Sequence, residues 1–312
     1  MRQIPTKHLL NPGEVIQGRN AIATSADFSG MPVLLSLEQP PNYRSKDGCS
    51  AKFRSDRINN YCLHYFSEGA FKQIALAPTR ENYHYLQRIG SDRWLLVRAR
   101  ASGYSDKNAH IYSSTGEHLH SFHAGEGIAD VQVTENGHIW ISFFDQGVFS
   151  FSSAFGQAGL ICLDKTGNFV FEYDNNSDQK EELICDCYAM NVASPQDIWI
   201  YYYTDFPLAQ ISDWQVQQRW FPMPICGSHA FAVNKDYHAL FDGGYGTHAL
   251  FAGSDDKPDS LFLISLETME FEELIPVDES GKVIKSFRAF GRGSKLFLYT
   301  CDTLSLLQLD MH

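Results

Sequence analysis

A repeat of about 50 residues constrains the fold of this chain more than any other feature. Each copy holds two short runs rich in β-branched and aromatic residues, separated by a turn rich in glycine or polar residues. Such runs are typical of β-strands joined in hairpins. The clearest copies lie at residues 128–142, 188–202, 229–242 and 286–300, with a weaker one at 85–99.

The copies share one internal spacing. In each, an apolar residue before the turn is followed seven positions later by a large apolar residue. The pairs are Ile89 and Leu96, Val133 and Trp140, Val192 and Trp199, Val233 and Leu240, and Phe290 and Phe297. Chance does not readily repeat one spacing five times, so we predict that these hairpins are structurally equivalent.

A second class of hairpin alternates with the first. Residues 110–122 and 160–173 carry matching Thr-Gly turns at Thr115-Gly116 and Thr166-Gly167 between strands of alternating character. Related segments lie at 62–76, 208–220 and 261–274, with a truncated one at 303–310. Two hairpins per repeat give four strands, and six repeats account for nearly the whole chain. The sequence therefore predicts an all-β fold, a six-bladed β-propeller of four-stranded antiparallel blades.

The two ends of the chain favour a closed arrangement. The last repeat is one strand short, and apolar residues such as Ile4, Leu9 and Val15 lie near the N-terminus with no repeat of their own. We expect an N-terminal strand to complete the last blade. The uninterrupted repeat predicts a single domain over residues 1–312.

Composition narrows the class of protein. The chain is 44% hydrophobic and 13% aromatic, which suffices for one large core. No apolar run is long enough for a membrane span or a signal peptide, so we expect a cytoplasmic protein without a membrane partner. The chain is expected to be a monomer. The seven cysteines fall mostly in predicted strands and are expected to be buried free thiols.

Charge argues against nucleic acid as a partner. With 25 Lys and Arg against 37 Asp and Glu, the net charge is −12, and no basic cluster is present. Nucleic-acid binding depends on neutralising phosphate charge, and anionic membranes make the same demand. The partners expected are a small polar ligand or a protein.

Binding sites in propellers commonly lie where the first strand of each blade begins and its second strand ends, because loops from every blade converge there. Charged and hydrogen-bonding residues gather at this level of the repeat. The candidate ligand-binding residues are Arg98, Arg100, Asp130, Asp145, Asp186, Tyr188, His229, Asp242 and Arg288. We predict that they line one funnel, with His229 and Asp242 closest to each other.

Structural roles compete with this interpretation. Polar groups at strand ends often pair across blades to satisfy buried donors and acceptors. His229 fits an inter-blade packing role, and Asp145 fits a turn. His118, His120 and His123 resemble a metal-ligand cluster, with the first two on one strand face, but an outer solvated strand explains them, and no metal site is predicted.

One stretch resembles a known family. Residues 125–142, GEGIADVQVTENGHIWIS, resemble the strand-turn-strand unit of NHL and senescence-marker/gluconolactonase propellers. Together with FFDQGVF, CYAMNV, YYYTDFPLAQI and GSHAFAV, the chain is similar to a group of uncharacterised bacterial propeller proteins. The resemblance implies a six-bladed fold. The metal ligands of gluconolactonase-like enzymes, a glutamate, two asparagines and an aspartate, are not carried over, because no glutamate matches and Asn191 lies beyond its strand start. The sequence does not identify a cofactor.

Two functions remain after these exclusions. The first is a binding or interaction module for a small polar ligand or protein, which the aromatic and mixed-charge residues favour. The second is a propeller-type hydrolase or lyase acting on a sugar or lactone, with His229 or an aspartate as base, with or without a metal. A shared fold does not separate them.

Overall fold

The structure is a computed structural model that describes residues 1–44, 51–150, 154–176, 179, 182–245, 259–300 and 305–311. The chain forms two compact units. The first unit is Pro12–Asp174, and the second is Asn175–His312 together with Met1–Asn11. The prediction of a single domain stays a prediction.

Two short N-terminal strands, β1 (Arg2–Pro5) and β2 (Lys7–Leu10), belong to the second unit. The first unit follows. Its elements are α1 (Pro12–Ile16), β3 (Asn20–Ala26), β4 (Pro32–Leu37), β5 (Arg54–Asn59), β6 (Tyr61–Ser67), β7 (Ala70–Ala75), β8 (Thr79–Glu81), β9 (Tyr85–Ile89), β10 (Arg93–Val97), β11 (Ala109–Ser113), β12 (His118–Phe122), β13 (Ile128–Val133), β14 (Ile139–Phe143), α2 (Asp145–Val148), α3 (Ala154–Gln157), β15 (Leu160–Leu163) and β16 (Phe169–Glu172).

The remaining strands belong to the second unit. They are β17 (Asp186–Ser194), β18 (Asp197–Tyr203), β19 (Leu208–Ser212), β20 (Gln215–Trp220), β21 (Phe231–Val233), β22 (His238–Asp242), β23 (Leu261–Ser265), β24 (Phe271–Val277), β25 (Phe287–Arg292), β26 (Lys295–Thr300) and β27 (Leu306–Asp310).

The strands pair into the six antiparallel blades of a β-propeller, which confirms the predicted fold. Blades 1 to 3 are β3-β4-β6-β7, β9-β10-β11-β12 and β13-β14-β15-β16 in the first unit. Blades 4 to 6 are β17-β18-β19-β20, β21-β22-β23-β24 and β25-β26-β27-β2 in the second. Each predicted repeat corresponds to one blade.

The blades pack through apolar clusters within each unit. In the first unit, one cluster joins blades 1 and 2 and another joins blades 2 and 3. In the second, the clusters join blades 4 and 5 and blades 5 and 6. Strands in the middle of a blade are buried on both faces, as in β14, where every residue is buried. This explains their near-continuous apolar sequence.

The two residues separated by seven positions do not occupy equivalent places in every copy of the repeat. Phe290 pairs directly with Phe297, and their rings stack with centroids 4.9 Å apart. In the tryptophan copies the turn is one residue longer or bulged, so Trp140 lies opposite Gln132 and Trp199 opposite Asn191. Because adjacent residues of a strand point to opposite faces, Val133 and Trp140 face different sides of their blade.

The outer hairpins follow the prediction closely. The N–H of Gly116 donates to the carbonyl of Ser113, and that of Gly167 donates to the carbonyl of Asp164. Both glycines have positive φ, 85° and 90°, which explains why glycine stands at the same place in both turns.

The N-terminal segment completes the last blade as predicted, and it does more. β2 pairs with β27 antiparallel as the fourth strand of blade 6. β1 adds to the outer strand β24 of blade 5 in parallel, which the repeat did not predict. Thr6, between them, donates from its N–H and hydroxyl to the carbonyl of Val277. A small additional sheet, β5 with β8, was also not predicted.

One buried amide ties the first strands of the blades together in each unit. In the second unit, Asn191 Nδ2 donates to the carbonyls of Phe231 and Gly293 at 2.9 Å each. In the first unit, Gln87 Nε2 donates to Ser25 Oγ at 2.7 Å, and its Oε1 accepts the N–H of Val133. Each amide therefore links three neighbouring blades.

The cysteines agree with the expected free thiols. Cys62, Cys162, Cys187 and Cys226 are buried and Cys185 is half-buried, and all five are free, while Cys49 and Cys301 lie outside the described residues. Among the described residues, no helix has the length and apolar character needed to cross a membrane.

Candidate functional site

Each blade has one edge, here called the loop edge, where its first strand begins and its second strand ends. The antiparallel register brings these positions together, as Asp186 with Tyr203 and Phe231 with Phe241 show. The predicted site residues lie at or near loop edges. The structure describes the edges of the two units separately.

At the loop edge of the second unit, Tyr188 and His229 form a stacked pair. Their rings lie 4.9 Å apart between centroids and within 11° of parallel. Tyr188 is half-buried in β17 of blade 4, whereas His229 precedes β21 of blade 5 and is exposed. Phe206 meets the Tyr188 ring edge-on at 5.1 Å. The pair therefore presents an exposed imidazole on a packed aromatic base.

Tyr245 closes one side of this pair. Its hydroxyl lies 3.4 Å from that of Tyr188, and the two rings meet edge-on at 6.3 Å. The Tyr245 ring lies directly against Gly227, where a Cβ would come within 1.9 Å of Cδ2. Glycine at 227, with φ of 69°, thus makes room for the tyrosine. Burial and the neighbouring Tyr245 raise the pKa of Tyr188, so its phenol is neutral at physiological pH. We call Tyr188, Phe206, His229, Asp242 and Tyr245 the aromatic cluster.

Asp242, at the end of β22, fixes the backbone under His229. Its Oδ1 accepts hydrogen bonds from the Ser228 hydroxyl and from the His229 N–H, the latter at 2.9 Å. Desolvation raises the pKa of the Asp242 carboxyl, while the hydrogen bonds from Ser228 and His229 act in the opposite direction. His229 and Asp242 are thus in direct contact, through the backbone of the histidine.

The other two predicted residues of this unit lie close by in sequence register. Asp186 begins β17 and is half-buried, and its charge contributes to the raised pKa of Tyr188. Arg288 is the second residue of β25 and is exposed. The parallel first strands place residue 291 against the carbonyl of Phe231, which brings Arg288 to the level of residues 228 and 229.

In the first unit, Arg98 is buried in a balanced ion-pair network. Its Nε lies 2.5 Å from Glu81 Oε2, and its Nη2 lies 2.7 Å from Asp106 Oδ1. Arg54 spans the same two carboxylates, with its Nε 2.7 Å from Glu81 and its Nη2 2.9 Å from Asp106. Two guanidinium groups thus neutralise two carboxylates. Arg98 is fully buried, so its charge serves this network.

The network shifts the pKa values of its neighbours. Burial alone would raise the pKa of Asp106, but hydrogen bonds from Arg98 and the Ser102 N–H, with the guanidinium charges, hold it well below its usual range. Burial and the charge of Arg98 lower the pKa of His84 to about 4 and that of His110 to about 3. Both histidines are neutral at physiological pH.

Arg100 forms a second pair nearby. Its Nε contacts Glu126, and its Nη1 donates to Gln146 Oε1 at 2.8 Å. Glu126 is buried and also accepts the Ala101 N–H. Asp130 is half-buried in β13 and accepts from the Gln132 side chain at 2.9 Å. Asp145 is exposed at the start of α2 and accepts the Gln146 N–H at 2.6 Å, as a turn residue does.

The predicted residues therefore divide into two groups, four in the first unit and five in the second. Within the second unit, Tyr188, His229 and Asp242 are brought into contact. Within the first, Arg98 and Arg100 pair with acidic residues that the sequence interpretation did not single out, namely Glu81, Asp106 and Glu126. The prediction that all nine residues line one funnel stays a prediction.

Phe206 and Ser228 were also missed. Phe206 adopts φ of 56°, which no sequence pattern predicts for phenylalanine. Ser228 had a usable signal, because a serine directly before the histidine at a strand start can hydrogen-bond a carboxylate at the end of the paired strand.

His118 and His120 were expected to lie on one face of β12, but the structure places them on opposite faces. The reason is a bulge in β12 opposite Ile111 and Tyr112, which shifts the register between the two histidines. His118 Nε2 bonds Ser121 Oγ at 2.8 Å, whereas the His120 ring packs toward Phe122. His123 bonds the Asp106 carbonyl. Over the described part of the chain, no group of three or more His, Cys, Asp or Glu side chains is arranged to hold a metal ion.

Comparison with known proteins supports the fold. The YxzG family model matches residues 160–305, slightly less than half of the chain. No curated protein matches this chain. Virginiamycin B lyase from Staphylococcus aureus superposes with a TM-score of 0.50 at 9% identity, covering 98% of this chain and 99% of the lyase.

Two further solved structures were compared with this chain. The β-propeller domain of Cps50 (Swd1) from Myceliophteria thermophila has a TM-score of 0.50 at 8% identity, covering 98% of this chain and 100% of that domain. A gluconolactonase from Xanthomonas campestris has a TM-score of 0.43 at 9% identity, covering 99% of this chain and 95% of the enzyme. At such identities the two likenesses with a TM-score of 0.50 show the fold alone.

Proposed function

We propose that this protein is a binding module and that the aromatic cluster of the second unit recognises a small polar ligand carrying a flat ring. The observation that carries the proposal is the exposed imidazole of His229 stacked in parallel on Tyr188. An exposed ring held in this way offers a ligand ring a stacking partner whose position is already fixed.

The contacts around the stack support this role. Offset stacking contributes about 0.5–1.5 kcal/mol beyond buried area, and a few placed polar groups supply orientation. The hydroxyls of Tyr188 and Tyr245 lie 3.4 Å apart beside the stack and can donate or accept hydrogen bonds. Arg288, at the same level of the neighbouring first strand, adds a positive charge.

Preorganisation is the second support. The Asp242 carboxylate holds both Ser228 and the backbone of His229, and the tight packing at Gly227 holds Tyr245. A site whose side chains are already ordered loses less conformational entropy on binding. The cluster is therefore suited to bind a ligand without rearrangement.

The second candidate is a hydrolase or lyase acting on a sugar or lactone, and its chemistry is restricted by the same contacts. Ser228, His229 and Asp242 are adjacent but do not form a nucleophilic triad. Ser228 is fully buried and bonds Asp242, and His229 reaches Asp242 through its backbone. An enzyme here would use His229 or Asp242 as a base and would turn over its ligand.

The test is a ligand screen read by thermal shift and calorimetry. A panel of sugars, lactones, nucleosides and aromatic amino acids is scored on the wild type, on His229→Ala and on Tyr188→Leu. His118→Ala is the matched control, because it removes an exposed histidine in another blade. Loss of the stack is expected to raise the Kd of the ligand about 5- to 10-fold.

Three outcomes are decisive. Weakening in His229→Ala and Tyr188→Leu, with wild-type affinity in His118→Ala, supports the proposal. Equal affinity in all variants removes the aromatic cluster as the site. If the wild type converts a sugar or lactone to product and His229→Ala does not, the protein is an enzyme and the binding-module proposal is wrong.

A further inference from the structure

A second site follows from a cavity of about 520 Å³ in the second unit, away from the aromatic cluster. Its walls come from three separate parts of the chain. These are Thr6 and His8 of the N-terminal segment, the turn and connection from Asp278 to Lys285, and the ends of β26 and β27 at Thr300 and Leu307. Its volume lies in the usual range for small-molecule pockets.

The floor and the rim of the cavity differ in character. Ile284 and Leu307 are buried, and Val283 is half-buried, which makes an apolar floor. Lys282 and Lys285 are exposed at the rim. Among the described residues, no carboxylate lies within ion-pairing distance of either lysine.

The turn that carries Lys282 is rigid. Asp278 Oδ1 accepts the N–H groups of Ser280 and Lys282, at 2.9 and 3.0 Å, and the Ser280 hydroxyl at 2.6 Å. The N–H of Asp278 donates to the Lys282 carbonyl, and that of Ile284 donates to the Pro276 carbonyl. The backbone of Lys282 is thereby fixed, and the Asp278 carboxylate is engaged in its own turn.

We propose that this cavity binds a small monocarboxylate with an apolar body. The two lysines suit a carboxylate, and the floor suits a short alkyl or aromatic group. The charges of Asp278 and Glu279 on the same cavity disfavour a dianion such as a phosphate ester. Because Thr6 and His8 form one wall, a bound ligand also holds the N-terminal segment in place.

The test uses hexanoate as the probe and hexanamide as its uncharged match. Calorimetry is performed on the wild type, on Lys282→Ala/Lys285→Ala and on Val283→Trp, which fills the cavity. Lys235→Ala, an exposed lysine in a turn of the same unit, is the control. Hexanoate is expected to bind the wild type and the control alike, and hexanamide and the double variant are expected to show about ten-fold weaker binding.

Hydrogen exchange gives a second measurement. Bound hexanoate should slow amide exchange in residues 6–10, and Val283→Trp should abolish both the heat and this protection. The proposal is overturned if no saturable hexanoate binding is seen, if hexanamide binds as tightly, or if the double variant binds like the wild type. Because the aromatic cluster lies elsewhere, Tyr188→Leu should bind hexanoate normally whatever the fate of the first proposal.

Discussion

The side-chain amide of Asn191 pairs with both backbone groups of Gly293. Its Oδ1 accepts the Gly293 N–H at 2.6 Å, and its Nδ2 donates to the Gly293 carbonyl at 2.9 Å. The same Nδ2 reaches the carbonyl of Phe231. One residue of blade 4 therefore hydrogen-bonds backbone groups of blades 5 and 6.

Replacing this amide should cost much more than its size suggests. Asn191→Leu leaves the Gly293 N–H and the Phe231 carbonyl without their side-chain partner, whereas the Gly293 carbonyl keeps the N–H of Val233. Each lost partner costs about 1–3 kcal/mol, so we expect a loss of about 2 kcal/mol or more in the free energy of unfolding, measured by urea denaturation. Gln215→Leu, an exposed amide on the outer strand of blade 4, is the control. Similar stability in the two variants would contradict this role of Asn191.

The buried tryptophans should be sensitive positions. Trp140 and Trp199 are 1% and 2% exposed, and Trp199 stacks on Trp220 at 5.2 Å between ring centroids. Each change to Ala is expected to cost about 3–5 kcal/mol through the cavity it leaves. Glu135→Ala, at an exposed turn of blade 3, should leave the melting temperature nearly unchanged. Equal tolerance at all three positions would refute the assignment of the repeat core.

The network around Arg98 predicts a strong effect at Asp106. Asp106→Asn removes one of two carboxylates that compensate a fully buried guanidinium, and breaking such a pair costs about 3–5 kcal/mol. Because the pKa of Asp106 is held below its usual range, its contribution is present above the ordinary aspartate pKa and declines as the pH falls below it. Urea denaturation at pH 7 and pH 3 should show a difference between wild type and variant that narrows at pH 3. A constant difference would argue against the ionic role.

The buried histidines predict a second, separate pH window. His84 and His110 have pKa values of about 4 and 3, below the ordinary 6.5, so the unfolded chain binds their protons first. Their contribution is complete above about pH 6.5 and is lost progressively as the pH falls toward 4. His84→Gln/His110→Gln should flatten the fall in stability between pH 7 and 5 relative to the wild type. Identical slopes in the two proteins would contradict the prediction.

The N-terminal strands can be tested by deletion. Removal of residues 1–10 takes away β1 and β2 and leaves the outer edges of β24 and β27 unpaired. Open edges of this kind promote association, so the truncated chain should melt earlier and form larger species in light scattering. A control with Arg2→Ala, which removes only an exposed ion pair to Glu272, should behave like the wild type. An unaltered melting temperature after deletion would show that the blades do not need these strands.

Local sequence signals predicted the blades well because each blade is built from neighbouring hairpins. Turn glycines such as Gly116 and Gly167 and the alternating runs around them are set by short-range geometry. The parallel addition of β1 to β24 was not predictable in this way. It joins residues 271 positions apart, as the hydrogen bond from Thr6 to Val277 shows, and no turn marks it.

The site was harder to predict for the same reason. The expectation that binding residues lie at the loop edges put Tyr188, His229 and Asp242 at one level, and the structure brings them into contact. The sequence could not predict that Arg98 is buried against Glu81 and Asp106, because ion pairing depends on side-chain direction and on the fold of residues 98–108. It also could not predict the stacking of Tyr188 on His229, which depends on the stagger between first strands of adjacent blades.

The pairing of β2 with β27 has a consequence for how the chain is made. Residues 7–10 are synthesised before any of the six blades, whereas their hydrogen-bonding partners in β27 are synthesised after blades 1 to 5. During synthesis, blades 1 to 4 can form in order, each from its own consecutive hairpins. Residues 2–10 meanwhile stay without their strand partners until β24 and β27 have been made, and the outer edges of those two strands are exposed until the segment docks. Blades 5 and 6 are therefore completed by a segment that has waited through the synthesis of all the others.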